Sequence, residues 1–206
     1  MTWVLISFYC ISAPGLVLAT LSMRQAQQFE LPHAWMTPFR LPLGATQYLE
    51  SHPIPGQIFN ELRQGGYLIW HFADPKFCFV DGRMVLRSAE QFSELLGVID
   101  HPEAFAEFQS KHKITHVLLP LMEWDRYRPL AASLIKLGSM RLLYCDGASA
   151  LLVETKLAIQ LNYPEVNRES IAQAIHQNFG TNPKLAQLAE TSAMDFMSEA
   201  ELNPLP

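Results

Sequence analysis

Between residues 3 and 23 the chain reads WVLISFYCISAPGLVLATLSM, without one charged side chain. At about 1.5 Å of rise per residue, about 20 residues cross the roughly 30 Å hydrocarbon layer of a bilayer. The stretch therefore predicts a transmembrane helix over residues 1–24, which commits everything behind it to a membrane-tethered fold. Ser7, Ser12, Pro14 and Gly15 interrupt the run, as such residues do in membrane helices more often than in soluble ones. A cleaved signal peptide competes, because Val17 and Ala19 suit a small-residue cleavage site, but the basic leading region is missing. A buried core helix is the third reading. Arg24, just after the run, points by the positive-inside rule to a cytoplasmic C-terminal side.

Residues 25–42 carry Pro32, Pro38 and Pro42 and little helical period, so they read as an extended, Pro-rich linker. The remainder suits one globular domain rather than two. With 15 Lys plus Arg against 20 Asp plus Glu, the formal charge is -5 and no basic cluster interleaves with aromatics. Nucleic-acid binding is thereby set aside.

Within residues 56–83 three short apolar runs (57–62, 67–72 and 77–80) are separated by Gly65-Gly66 and Asp74-Pro75. That punctuation predicts closely spaced strands of one buried sheet, with paired glycines making a tight turn. Residues 114–119 (ITHVLL) predict a strand buried on both faces, and 140–145 with 149–153 predict a hairpin turning at Asp146-Gly147. Helices are expected over 43–52, from a Ser88 cap to Leu96, from His101-Pro102 to about Lys111, and over 125–137, where Gly138 closes the last. The fold class is α/β: a mixed, partly parallel sheet of about six strands flanked by helices, over residues 43–156. Ala- and Gln-rich segments at 167–178 and 183–200 then predict a C-terminal helical hairpin, an appendage spanning 157–206.

Candidate ligand-binding residues follow from this layout. Asp81-Gly82-Arg83 ends a strand, where open α/β sheets keep their sites; Asp81 suits sugar hydroxyls or a cation, and Arg83 suits a phosphate or carboxylate. Structural duty competes: Asp81 as a loop cap, Arg83 paired with an acid such as Asp146. Tyr67 and Trp70 offer aromatic faces for a sugar ring. His71, near Asp74 and Lys76, reads as a half-exposed strand residue, since no nucleophile motif accompanies it. His112 and His116 have helical zinc spacing but straddle a helix-to-strand change, so they should not share a face. No phosphate-loop or dinucleotide-loop pattern occurs. No cofactor, metal site or catalytic residue is assigned. Cys78 and Cys145 read as buried small hydrophobes; a disulfide between them would need adjacent strands and an oxidising compartment.

The succession Ala45-x-x-Tyr48-Leu49, Gly56-x-Ile58-Phe59-Asn60, Gly65-Gly66-Tyr67-Leu68-Ile69-Trp70, Phe79-Val80-Asp81-Gly82-Arg83, Ile114-Thr115-His116-Val117-Leu118-Leu119 and Leu143-Tyr144-x-Asp146 resembles the C-terminal extramembrane domain of polytopic bacterial membrane proteins. Those are similar to the GT-C glycosyltransferases that use polyprenyl-phosphate sugars, the mannosyltransferase-like group. The resemblance covers about residues 43–155. It implies a cell-membrane location with the domain periplasmic or otherwise extracytoplasmic, against the hint from Arg24, and we follow it. It does not carry over catalysis, because in that group the catalytic acids lie in an early loop of the multi-helix portion. The resulting expectation is an accessory domain that is not catalytic alone, with Asn60, Tyr67, Trp70, Asp81, Arg83 and Asp146 as possible ligand-binding residues. Its expected partners are the membrane, the remaining membrane portion of a larger protein or a partner protein, and a glycan or polyprenyl-phosphate-sugar ligand. Two other classes stand beside it: a small metal-dependent hydrolase using Asp81 and Asp146, and an assembly module acting through the C-terminal helices.

Overall fold

The computed structural model describes residues 40–74, 77–82, 88–121, 124–164 and 166–199. Four strands, β1 (Gln57–Asn60), β2 (Ile114–Pro120), β3 (Met140–Cys145) and β4 (Ser149–Glu154), form one sheet in the order β1-β2-β4-β3. β1 and β2 are parallel, while β2 with β4 and β4 with β3 are antiparallel, so the sheet is mixed. The β3-β4 hairpin turns through Gly147 at φ +80°, a conformation a side chain would strain. Among the described residues eight α-helices surround the sheet: α1 (Leu43–Ser51), α2 (Leu62–Phe72), α3 (Ala89–Asp100), α4 (Phe105–His112), α5 (Trp124–Lys136), α6 (Thr155–Leu161), α7 (Arg168–Phe179) and α8 (Pro183–Glu199).

The sheet is smaller than the expected six strands because two of the apolar runs do other work. Residues 67–72 belong to α2. Glu61 caps that helix by accepting from the Arg63 N–H, and Ala73 ends it in the left-handed region at φ 52°. An unbroken apolar run has no period of its own, so the cap and the tertiary contact decide between strand and helix. The glycines expected to form a turn lie inside this helix. Gly65 lets the backbone of residues 80–81 cross it: a Cβ there would lie 1.9 Å from the Val80 carbonyl oxygen. The third run, 77–80, contributes one bridge, Cys78 parallel to Ile58.

Both faces of the sheet are covered, which is why its strands read as nearly continuous apolar runs. On one face Phe59, Val117, Leu119 and Leu152 pack with Leu95, Phe105, Phe108 and Leu130. On the other, Ile58, Leu118, Leu151 and Val153 pack with Ala45, Leu49, Leu68 and Ala158, which come from α1, α2 and α6. Ser88 caps α3 by accepting from Gln91 N–H, as its sequence position predicts. The C-terminal pair, expected as an appendage, shares the sheet's own core: Ile171, Ile175 and Phe179 of α7 and Ala189, Ala193 and Phe196 of α8 are all buried in it. Among the described residues no helix is long and apolar enough to cross a membrane. The predicted span at 3–23, nearly all of the linker and Arg83 lie outside the described residues.

Candidate functional site

Asn60 closes β1 with no exposed surface. Its amide nitrogen donates to the Val80 and Glu61 carbonyls at 2.7 and 2.8 Å, while its oxygen accepts from Phe79 and Val80 N–H at 3.0 and 3.3 Å. An amide side chain has two N–H donors and two lone pairs. All are used, so Asn60 tethers the 79–80 segment to β1 and keeps nothing for a ligand. Asp81, next along that segment, is 2% exposed.

Asp146 lies at the opposite edge, also 2% exposed, in the β3-β4 turn. Its Oδ1 accepts from Ala148 and Ser149 N–H at 3.0 and 2.9 Å, and its Oδ2 accepts from the Tyr144 hydroxyl and Asn178 Nδ2 at 3.0 and 2.8 Å. Burial raises its pKa in spite of these bonds. Four inter-strand steps of about 4.8 Å put the Cys78 and β3 positions about 19 Å apart. Asp81 and Asp146 thus belong to different edges and do not form one carboxylate site. Cys78 and Cys145 are likewise buried, on those same two edges, too far apart to form a disulfide with each other. Among the described residues no group of three or more His, Cys, Asp or Glu is placed to hold a metal.

The structure does bring Tyr67 and Trp70 together. One turn apart on α2, their rings are 5.7 Å between centroids, and Trp70 is 62% exposed. His71 joins them, its Nδ1 3.4 Å from the Tyr67 hydroxyl and its Nε2 3.0 Å from the Glu50 carboxylate. It is a helical residue with a carboxylate partner, where the sequence suggested a strand. The face combines an open indole surface with a phenol, an imidazole and a carboxylate, groups that bind hydroxyls in both senses.

His112 and His116 stay apart, as expected. His112 Nε2 pairs with Glu94 at 2.8 Å, a carboxylate that Lys111 also engages. His116 is fully buried, and burial lowers its pKa to about 3.

A second feature escaped sequence reasoning. A cleft of about 300 Å³ opens between α1, β3 and α7, walled by Tyr48, His52 and Tyr144. Tyr48 stacks on His52 (4.1 Å, 7° between planes), and Tyr144 leans on Tyr48 at 5.3 Å. Asn178 of α7 donates to the Tyr144 hydroxyl at 2.7 Å, and with Asp146 it fixes that ring. The i, i+4 spacing of Tyr48 and His52 on a helix is the only local signal of this wall; its other members come from distant elements.

No protein-family model matches the chain, and neither the curated proteins nor the solved structures include a match to it.

Proposed function

We propose that this chain is a membrane-anchored, extracytoplasmic accessory domain that recognises a glycan, without catalytic activity of its own, in the setting of a GT-C glycosyltransferase-like protein. The anchor rests on the uncharged run at residues 3–23 and the setting on the sequence resemblance. The observation that carries recognition is the Tyr67-Trp70-His71-Glu50 face. A sugar ring offers an apolar C–H face ringed by hydroxyls, and an indole that is 62% exposed beside a phenol and a carboxylate matches both parts. On this reading the sugar binds at α2 rather than at the Asp81 strand end. The remaining membrane portion of a larger protein, or a partner subunit, would supply the chemistry.

The test is binding of neutral hexose oligosaccharides to the detergent-solubilised full chain, compared with Trp70→Ala and Arg83→Ala variants. Loss of one aromatic stacking contact is worth about 0.5–1.5 kcal/mol, so Trp70→Ala is expected to weaken binding about 2- to 12-fold. Absence of binding by the native chain, or equal binding by Trp70→Ala, would remove the proposal.

A further inference from the structure

We infer that glycan binding at the α2 face is regulated by pH: the His71 imidazole, on taking up a proton, withdraws the Glu50 carboxylate from the sugar. The inference rests on the recognition reading above and adds its regulation. Glu50 is well placed to accept a sugar hydroxyl, since its side chain is 57% exposed and its one polar contact among the described residues is His71 Nε2, 3.0 Å from its Oε1. That Nε2 is buried and makes no hydrogen bond, so the carboxylate lies close to it but off the line of a ring N–H. A neutral imidazole therefore leaves the Glu50 charge to the ligand. A charged one needs no such alignment, because Coulomb attraction is not directional, and its buried Nε2 has only the carboxylate to attract.

Among the described residues no other group around His71 supplies this switch. Its second ring nitrogen, Nδ1, meets the Tyr67 hydroxyl at 3.4 Å, and the rings of Trp70 and Phe72 beside it are uncharged. On α1, His52 stacks on Tyr48 and lines the cleft with β3 and α7. His116 touches the Phe77 ring that packs on Phe72, and burial keeps it neutral by lowering its pKa to about 3. Histidine is the side chain whose charge ordinarily changes between about pH 5 and 8. Acids and lysines, such as Asp74 and Lys76 just after α2 in the sequence, supply a constant background over that interval.

The experiment is binding calorimetry on the full chain in detergent, with cellotetraose and maltotetraose as neutral probes whose own charge does not vary with pH. Native affinity at about pH 5.5 is expected to be about fivefold weaker than at about pH 7.5, the difference between a charge-assisted and a neutral hydrogen bond. By linkage, binding between those values must release a proton, so its heat should depend on the ionisation enthalpy of the buffer. Glu50→Gln, a change at an exposed side chain, and His71→Gln should each bind without pH dependence or proton release, while Trp70→Ala weakens binding at both pH values. Circular dichroism at each pH separates loss of binding from loss of fold. Equal native affinity at the two pH values, or a pH slope that survives in Glu50→Gln, overturns the regulation and leaves the recognition reading standing. Absence of native binding at both overturns the two together.

Discussion

Gly65 and Gly66 are adjacent in α2, yet alanine at the two positions should act with opposite sign. At Gly66 a Cβ meets nothing within 4 Å, so Gly66→Ala leaves only the helix-propensity gain, about 1 kcal/mol. At Gly65 the same atom would sit 1.9 Å from Val80 O and 2.7 Å from Asp81 Cα. Both are backbone atoms, and the Val80 carbonyl is pinned by Asn60 Nδ2 at 2.7 Å. Overpacking costs about 1–3 kcal/mol, and a pinned obstacle argues for the upper end. Set against the same propensity gain, Gly65→Ala should lose about 2 kcal/mol net. The two variants should therefore differ by about 3 kcal/mol, which for a domain of this size separates their melting temperatures by about 6–12 °C. Thermal denaturation of the full chain, followed by circular dichroism, measures this directly. A Gly65→Ala protein as stable as the native one, or a Gly66→Ala protein that falls with it, would refute the helix and its crossing at residue 80.

Two further outcomes test the interior. Asn60→Ala takes a partner from the Val80 N–H and carbonyl, while Phe79 N–H keeps the Ile58 carbonyl at 2.9 Å and the Glu61 carbonyl keeps Gln64 N–H at 3.1 Å, and the two groups left bare should cost about 2–6 kcal/mol by urea denaturation. His116 should make stability pH-dependent, and its hydrogen bonds fix its tautomer: Thr115 Oγ1 spends its one proton on the Pro55 carbonyl at 2.7 Å, so His116 Nδ1, 2.8 Å away, must donate to it. Since burial takes the folded pKa from 6.5 down to about 3, only the unfolded chain gains this proton in that window. Stability is then present above pH 6.5 and lost as pH falls toward 3, with a His116 contribution of up to about 1.4 kcal/mol per pH unit. Denaturation midpoints across that range should show a shallower acid slope in His116→Leu than in the native chain; equal slopes would contradict the assignment.

Much of the framework was legible because the local signals agreed with the global fold. β2, β3 and β4 are apolar runs bounded by turn chemistry, and Ser88 and the Asp146-Gly147 turn acted as their residue types predict. Residues 67–72 were misread because their run fits a period of 2 or 3.6 equally, while the deciding facts are a cap at Glu61 and a contact with residues 80–81. α6 was missed altogether, since seven residues directly after a strand carry little signal. The site was less legible for a related reason. Tyr67 and Trp70 could be named, but only their helical spacing puts the rings side by side. Asp146 could be named too, yet its role as an anchor depends on Asn178, 32 residues away, which no local pattern joins to it.

α7 and α8, which shelter the sheet's core, are translated after all four of its strands. At about 5–20 residues per second, the roughly 45 residues from Thr155 to the end of α8 at Glu199 take a ribosome about 2–9 s. For that interval the sheet's core lacks what α7 and α8 add to it, and the greasy surface destined for Phe179 and Phe196 is open to whatever is nearby. A growing chain of this design is most vulnerable just after β4 has emerged, and slow decoding of α7 and α8 would lengthen the time in which a chaperone, or a second nascent copy, meets the open core.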